Sequence, residues 1–335
     1  MGEKGKTTIA KTTAESCEYV ENFTRPLEFP RDVRDMEDGA GMLIGYLDRR
    51  IDAALEKYPA TPVAMLSGGI DSILATAVLA GKRPDTVAFT FSFGGVEEGE
   101  KARQVAEHLG IEHYIIAPQG VEAEDLLTDV VHRLEHTDAW EVLAGAVFRA
   151  VDKASTKMGL GDGAIITGDA ADILLFGGKE MDPKQDPVEC MNEQVRDLVE
   201  TRFARDLQIP DFYERLLDNP DRHIKTWQTE EAFRVTARLH PAAIRGEDYS
   251  LDKEVARFAA RSLGVPAKLT AATKDPLQTS SGGLDMAVSA AAWHLAQTGG
   301  HSYYTDPTYE DTKFVATRLY LEPVSYTHLR AHETE

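Results

Sequence analysis

Residues 61–72 read TPVAMLSGGIDS. The first six are a short apolar run of strand length, broken by Ser67-Gly68-Gly69. From Asp71 onward, Ile73, Leu74, Ala77 and Val78 return at helical spacing. The pattern is a strand, a glycine turn and a helix. At such a junction several helix N–H groups lack partners and the helix dipole favours an anion. Gly68 and Gly69 let the backbone approach oxygen atoms closely, and the Ser67 and Ser72 hydroxyls can add donors. The result is a cradle suited to a pyrophosphate, in which Asp71 can hold the Mg²⁺ that accompanies it. GxxxxGK[ST] does not occur, so this is no Walker-type loop. The competing reading, a structural glycine turn before a helix, explains the turn but not the strand and helix on either side of it.

Working outward, residues 42–55 carry Leu43, Ile44, Leu47, Ile51 and Leu55 at helical spacing, and Tyr58-Pro59 ends the run. Strand-like segments at 86–93, 113–116 and 164–167 alternate with helical ones at 97–109 and from 123 through 158, and a second glycine loop follows at 168–178. This alternation predicts an α/β fold with a doubly wound, mainly parallel sheet over residues 41–184. Beyond about residue 185 the strand signal fades. Val195, Leu198, Val199 and Phe203, then Val255, Phe258, Ala259 and Leu263, keep helical spacing, predicting a helical region over 185–323 that completes the site. Residues 1–40 are polar and read as an arm or small hairpin. The composition shifts abruptly at Ser325, so 325–335 is expected to be a non-native tail.

The chain has 335 residues, 42% of them hydrophobic, enough for a large core. Its two cysteines, Cys17 and Cys190, lie far apart without a CxxC or a His-ligand pattern, which argues against a disulfide framework or a zinc site. No apolar h-region opens the chain and no apolar run is long enough to span a membrane, so a cytoplasmic setting is expected. A formal charge of −20 would repel a phosphate backbone, and Lys and Arg are scattered, so neither nucleic acid nor membrane is an expected partner. The acidic excess reads as a solvated surface.

With Ser67-Gly68-Gly69-Ile70-Asp71-Ser72 after a buried strand, the chain resembles the PP-loop ATP pyrophosphatases, whose signature is SGGxDS at this place in an adenine nucleotide alpha hydrolase-like fold. Ile165-Ile166-Thr167-Gly168-Asp169-Ala170-Ala171-Asp172, with Phe176-Gly177-Gly178, is similar to the SGEGADELFGG stretch of asparagine synthetases and to TGYGADIPLGG of β-lactam and carbapenam synthetases. The resemblance implies ATP and Mg²⁺, with Asp71 and Asp172 as metal ligands. It implies nucleotide binding by Leu66, Ser67, Gly68, Gly69, Asp71, Ser72, Phe91, Phe93 and Gly168, the base lying near Leu66, Phe91 and Phe93. By pattern alone the two phenylalanines are equally well core residues. Lys274-Asp275-Pro276-Leu277-Gln278 resembles the family's lysine segment that closes over the phosphates, although Ala272 stands where an Arg is usual. Lys274 is therefore a catalytic candidate. Arg245 with Leu251-Asp252 is similar to a stretched RxPFLD segment. Ser281-Gly282-Gly283-Leu284-Asp285 copies the first motif, but a polar, proline-broken segment precedes it and it reads as a helix start.

Asp169 occupies the place of a Glu in asparagine synthetases and of a Tyr in β-lactam synthetases, which implies a catalytic role in the second half-reaction; capping a turn is the plainer alternative. The whole resemblance implies an ATP-dependent, AMP-forming carbon–nitrogen ligase. It would adenylate aspartate or a related carboxylate and pass the acyl group to ammonia or an amine. Residue 2 is Gly and only about 60 residues precede the phosphate loop, so a built-in glutaminase domain of typical size is not expected. Free ammonia, a separate glutaminase subunit or an amine substrate is expected, and a homodimer is compatible. Two other readings stay open: a nucleobase- or tRNA-modifying PP-loop enzyme, and a non-catalytic ATP-binding regulator.

Overall fold

The computed structural model describes residues 27–93, 96–202, 209, 211–271, 282–298, 311, 312 and 315. Helix α1 (Met36–Lys57) starts where the Asp35 carboxylate accepts from the Asp38 N–H and ends at Tyr58, before Pro59. The expected arm of residues 1–40 therefore yields its last five residues to a helix, because the cap precedes the first apolar residue of the stripe. Its residues 1–26 lie outside the described residues. Five strands follow in one all-parallel sheet: β1 (Val63–Met65), β2 (Val87–Phe91), β3 (Glu112–Ile116), β4 (Ile165–Ile166) and β5 (His223–Ile224), in the order β3-β2-β1-β4-β5. Register is set by Val63 opposite both Val87 and Ile165. Helices α2 (Ile70–Lys82), α3 (Val96–Leu109), α4 (Val121–Leu134) and α5 (Ala139–Lys157) connect the first four strands.

Strand β5 corrects the expectation that strands cease after residue 185. It has two residues, too few to alternate, and owes its existence to pairing with β4, Ile165 opposite His223 and Ile166 opposite Ile224. Ahead of it lie α6 (Ala171–Leu174), α7 (Pro187–Arg202), α8 (Phe212–Leu216) and a 3₁₀ turn, Pro220–Arg222. After it come α9 (Glu230–Ala237), α10 (Pro241–Arg245), α11 (Glu254–Ser262), α12 (Ala267–Thr270) and α13 (Gly283–Thr298). The last of these starts where the second SGG sequence was read as a helix start.

Successive side chains of a strand face opposite ways, and a parallel sheet is covered on both sides. Ala64, Leu66, Ala88, Ile166 and Ile224 thus enter a core shared with Leu43, Leu47 and Ile51 of α1, Ile73 and Leu74 of α2, and Val255 and Ala259 of α11. Val63, Val87, Phe89 and Ile165 meet Val151 of α5 on the other face. Each fully buried Leu or Ile contributes roughly 1.5–3 kcal/mol, so this sandwich fixes the strand ends relative to one another. Sheet order reverses between β1 and β4. In open α/β sheets ligands bind at such a point, outside the carboxyl ends of the strands.

Candidate functional site

Both glycine loops leave the sheet at this reversal. The first leaves β1 and makes a tight turn that needs Gly68 at φ +80°, a conformation an L side chain rarely adopts. The Ser72 hydroxyl donates to the Gly69 carbonyl at 2.9 Å and accepts from the Ser67 N–H at 3.1 Å. The Ser72 hydroxyl thus shapes the loop, with the hydroxyl of Ser67, half-buried, 3.2 Å from it. Gly69 precedes α2 with no side-chain cap, so the first N–H groups of this 13-residue helix face the crevice end of the sheet without that satisfaction.

The second loop leaves β4 and touches the first. A Cβ on Gly168 would sit 2.4 Å from the Ser72 backbone nitrogen and 2.5 Å from the Asp71 carbonyl carbon. Only glycine permits this approach, and Asp71 and Asp172 come near enough to influence each other electrostatically. Ala170 takes a left-handed φ of +67° as the N-cap of α6, the short helix that carries Asp172. A non-glycine residue in that region carries about 1–2 kcal/mol of strain, a cost concentrated at functional loops.

Lys253 joins the two carboxylates, and sequence reasoning missed it. Its Nζ lies 2.6 Å from Asp71 Oδ2. Burial works against the ammonium, but Asp71 and Asp172 outweigh it and push its pKa above the ordinary lysine value. Asp172 is reachable by water. It is nonetheless walled by protein, and that burial, opposed by Lys253 and reinforced by Asp71 and Asp169, raises its carboxyl above the usual range. The second oxygen of Asp71, Oδ1, is buried without a hydrogen bond among the described residues. An orphan carboxylate oxygen on a residue that a second carboxylate feels electrostatically suits a hard cation. No group of three His, Cys, Asp or Glu residues among those described is arranged as a metal site. Mg²⁺ needs no such cage, since it takes one or two carboxylates together with phosphate and water.

What places Lys253 is the stretched segment after α10. Arg245 donates to the Lys179 carbonyl at 2.7 Å, and its guanidinium lies 5.5 Å from the centre of the Phe176 ring. Asp252 accepts from the Gly178 N–H at 2.9 Å. Arg245 is thus a clamp on the glycine loop. Lys253, at φ +48°, turns the chain into α11, and a Cβ on Gly177 would lie 2.9 Å from both its Cδ and the Asp172 Cβ. The signal for it was its place directly after Leu251-Asp252.

The remaining expected residues divide. Leu66, Phe91 and Phe93 are buried in the core; Phe91 and Phe93 meet edge to face at 4.7 Å, as plain core residues would. Leu66 spends its backbone on the sheet, its N–H donating to Phe89 and its carbonyl accepting from Thr90 Oγ1 at 2.5 Å. Asp169, half-buried, accepts from the Tyr213 hydroxyl at 2.6 Å. Lys274 and Ala272 lie outside the described residues.

A parallel sheet with two glycine loops touching at its reversal, backed by helix N–H groups and paired carboxylates, is the frame of a PP-loop α/β protein. A family model described as asparagine synthase matches residues 60–262. The chain belongs to the asparagine synthase family, a family of ATP-dependent PP-loop synthetases. A solved structure, NMN synthetase from Francisella tularensis, is similar at 19% identity, over 72% of this chain and 98% of that one, with a TM-score of 0.32. No curated protein matches the chain. Among the described residues no helix is long and apolar enough to cross a membrane.

Proposed function

We propose that this chain is an AMP-forming carbon–nitrogen ligase that activates a small carboxylate, aspartate or a relative, as its acyl-adenylate and transfers it to ammonia or an amine. The observation that supports the reading most is the contact of Gly168 with the Asp71-Ser72 backbone, which brings the two glycine loops and the residues they carry together. A carboxylate oxygen of the substrate attacks the α-phosphorus of ATP, and the bond to pyrophosphate breaks. The nitrogen nucleophile then attacks the acyl carbon, AMP departs, and Asp169 accepts a proton from nitrogen. The α2 N–H groups and Ser67 hold the pyrophosphate. Adenine would lie near the β1 and β2 ends, at Leu66, Phe91 and Phe93. Asp71 and Asp172 would hold Mg²⁺, which would supply charge neutralisation at the phosphates. Lys274 is retained as the closing cation, and Lys253 balances the paired carboxylates. Nitrogen would come from free ammonia, a separate glutaminase subunit or an amine substrate, in the cytoplasm; homodimerisation stays compatible.

Exchange of labelled pyrophosphate into ATP, measured over a panel of carboxylic acids beginning with aspartate, tests the reading. Exchange that depends on one acid supports it. Exchange with none of them, alongside modification of a nucleobase or tRNA, would move the chain to the other PP-loop chemistry, and Mg·ATP binding with no turnover would make it a regulator.

A further inference from the structure

Asp169 does not stand alone. Tyr213, on α8, is almost wholly buried, and its ring is fixed on several sides. It stacks on His223 at 4.6 Å, meets Phe148 at 5.5 Å and Phe212 at 5.1 Å edge-on, and carries the Lys225 ammonium 5.0 Å from its centre. Lys225 is itself held by Glu214 at 3.0 Å. Such a ring has one well-defined position, and its only polar atom must find a partner. That atom donates to Asp169 Oδ2 at 2.6 Å, with the Gln228 carbonyl oxygen a distant second at 3.5 Å.

We infer that Tyr213 is a positioning residue for the second half-reaction, an inference that rests on the proposed ligase activity. A short, charge-assisted hydrogen bond from a rigid donor holds one oxygen of the carboxylate and thereby its plane. The other oxygen is left to meet the nitrogen nucleophile. Asp is shorter than the Glu or Tyr at this place in the resembling synthetases, and it has few rotamers. Fixing it costs little, and a fixed base within hydrogen-bond reach is what proton transfer from nitrogen requires. The partner comes from α8, and its ring is packed by α5, α8 and β5. Had Asp169 only satisfied a buried hydroxyl, removing that hydroxyl would leave the reaction untouched.

The test is Tyr213→Phe, which keeps the ring and its packing. With the acid identified by pyrophosphate exchange and ammonium chloride or a panel of primary amines as nitrogen source, exchange and the KM for ATP should change less than about 2-fold. The kcat for amide formation should fall roughly 10- to 100-fold, less than the roughly 10²-fold or more of a lost acid–base group, because the base itself remains. In an Asp169→Asn background the same change should add less than about 2-fold, because residues that act as a unit are not additive. Equal loss of exchange and amide formation, full activity, or additive losses would each overturn the role of Tyr213 alone. Absence of exchange or of amide formation in the parent would overturn the ligase reading and this inference together.

Discussion

Replacing Gly168 by Ala adds one methyl group where the two glycine loops meet. Built on the observed backbone, the new carbon would lie 2.4 Å from Ser72 N, 2.5 Å from the Asp71 carbonyl carbon and 2.8 Å from Ser72 Cα. Unstrained contacts between such atoms lie at about 3.5–4.0 Å, so the loops must part by roughly 1 Å. All three neighbours are backbone of the α2 N-terminus, so no side chain can swing away to make room. Overpacking of this kind costs about 1–3 kcal/mol, and displacement of a positioned group by about 1 Å costs about 10²-fold in rate. Denaturant unfolding should show a lower midpoint with the slope unchanged, and calorimetry should show Mg·ATP binding weakened at least 10-fold. Gly41→Ala is the control: it lies in α1 with no atom within 4 Å of the added carbon. It should stabilise by about 0.5–1 kcal/mol through helix propensity, with ATP binding unaltered. A Gly168→Ala protein as stable as the parent, and equally good at binding Mg·ATP, would refute the loop contact as the basis of the site.

Lys253→Met keeps the aliphatic stem against Gly177 but removes the cation between Asp71 and Asp172. Both partners of the pair keep some solvent contact, 11% and 20% exposed, so the loss of stability should be about 2–3 kcal/mol, below that of a fully buried pair. Unchanged unfolding would show that the pair contributes nothing. The Arg149 and Arg133 guanidiniums grip Asp129 at 2.9 and 3.0 Å; burial opposes its charge, yet they prevail and hold its pKa down to about 2. A depressed folded-state value stabilises above the unfolded value, about 3.9, and the stabilisation is lost as pH falls through about 2. Asp129→Asn should therefore unfold about 1 kcal/mol more easily at pH 7, after allowance for solvent screening, with the gap closing between about pH 4 and 2. A gap independent of pH would mean that the amide fails for steric reasons. Asp169→Asn should leave pyrophosphate exchange intact and slow amide formation roughly 10²-fold or more; equal loss of both would place Asp169 with the phosphates.

Local rules made the first half of the sheet readable. TPVAML, the SGG break and the apolar spacing from Ile73 each pointed to the same strand, turn and helix, and the second loop repeated the logic at Gly168. Pairing across the chain was what remained hidden. His223 and Ile224 carry no alternation of their own and become a strand because β4 lies beside them. Lys253 is one lysine among many until the clamps at Arg245 and Asp252 fold its segment back on the glycine loop. Tyr213 likewise stands 44 residues from Asp169, and no spacing rule joins the two. Ser72 shows the opposite limit. The motif puts Ser72 in the loop, but only geometry shows its hydroxyl within hydrogen-bond distance of the Gly69 carbonyl.

Cleavage at the α-phosphorus is the core of the account, and phosphorus NMR of Mg·ATP turnover by the purified chain observes it directly. With the acid that supports pyrophosphate exchange and with ammonium chloride present, AMP and pyrophosphate should appear in equal amounts, and Asp71→Ala should abolish both. ADP and inorganic phosphate as the main products would contradict the account, because they would place the attack at the γ-phosphorus instead.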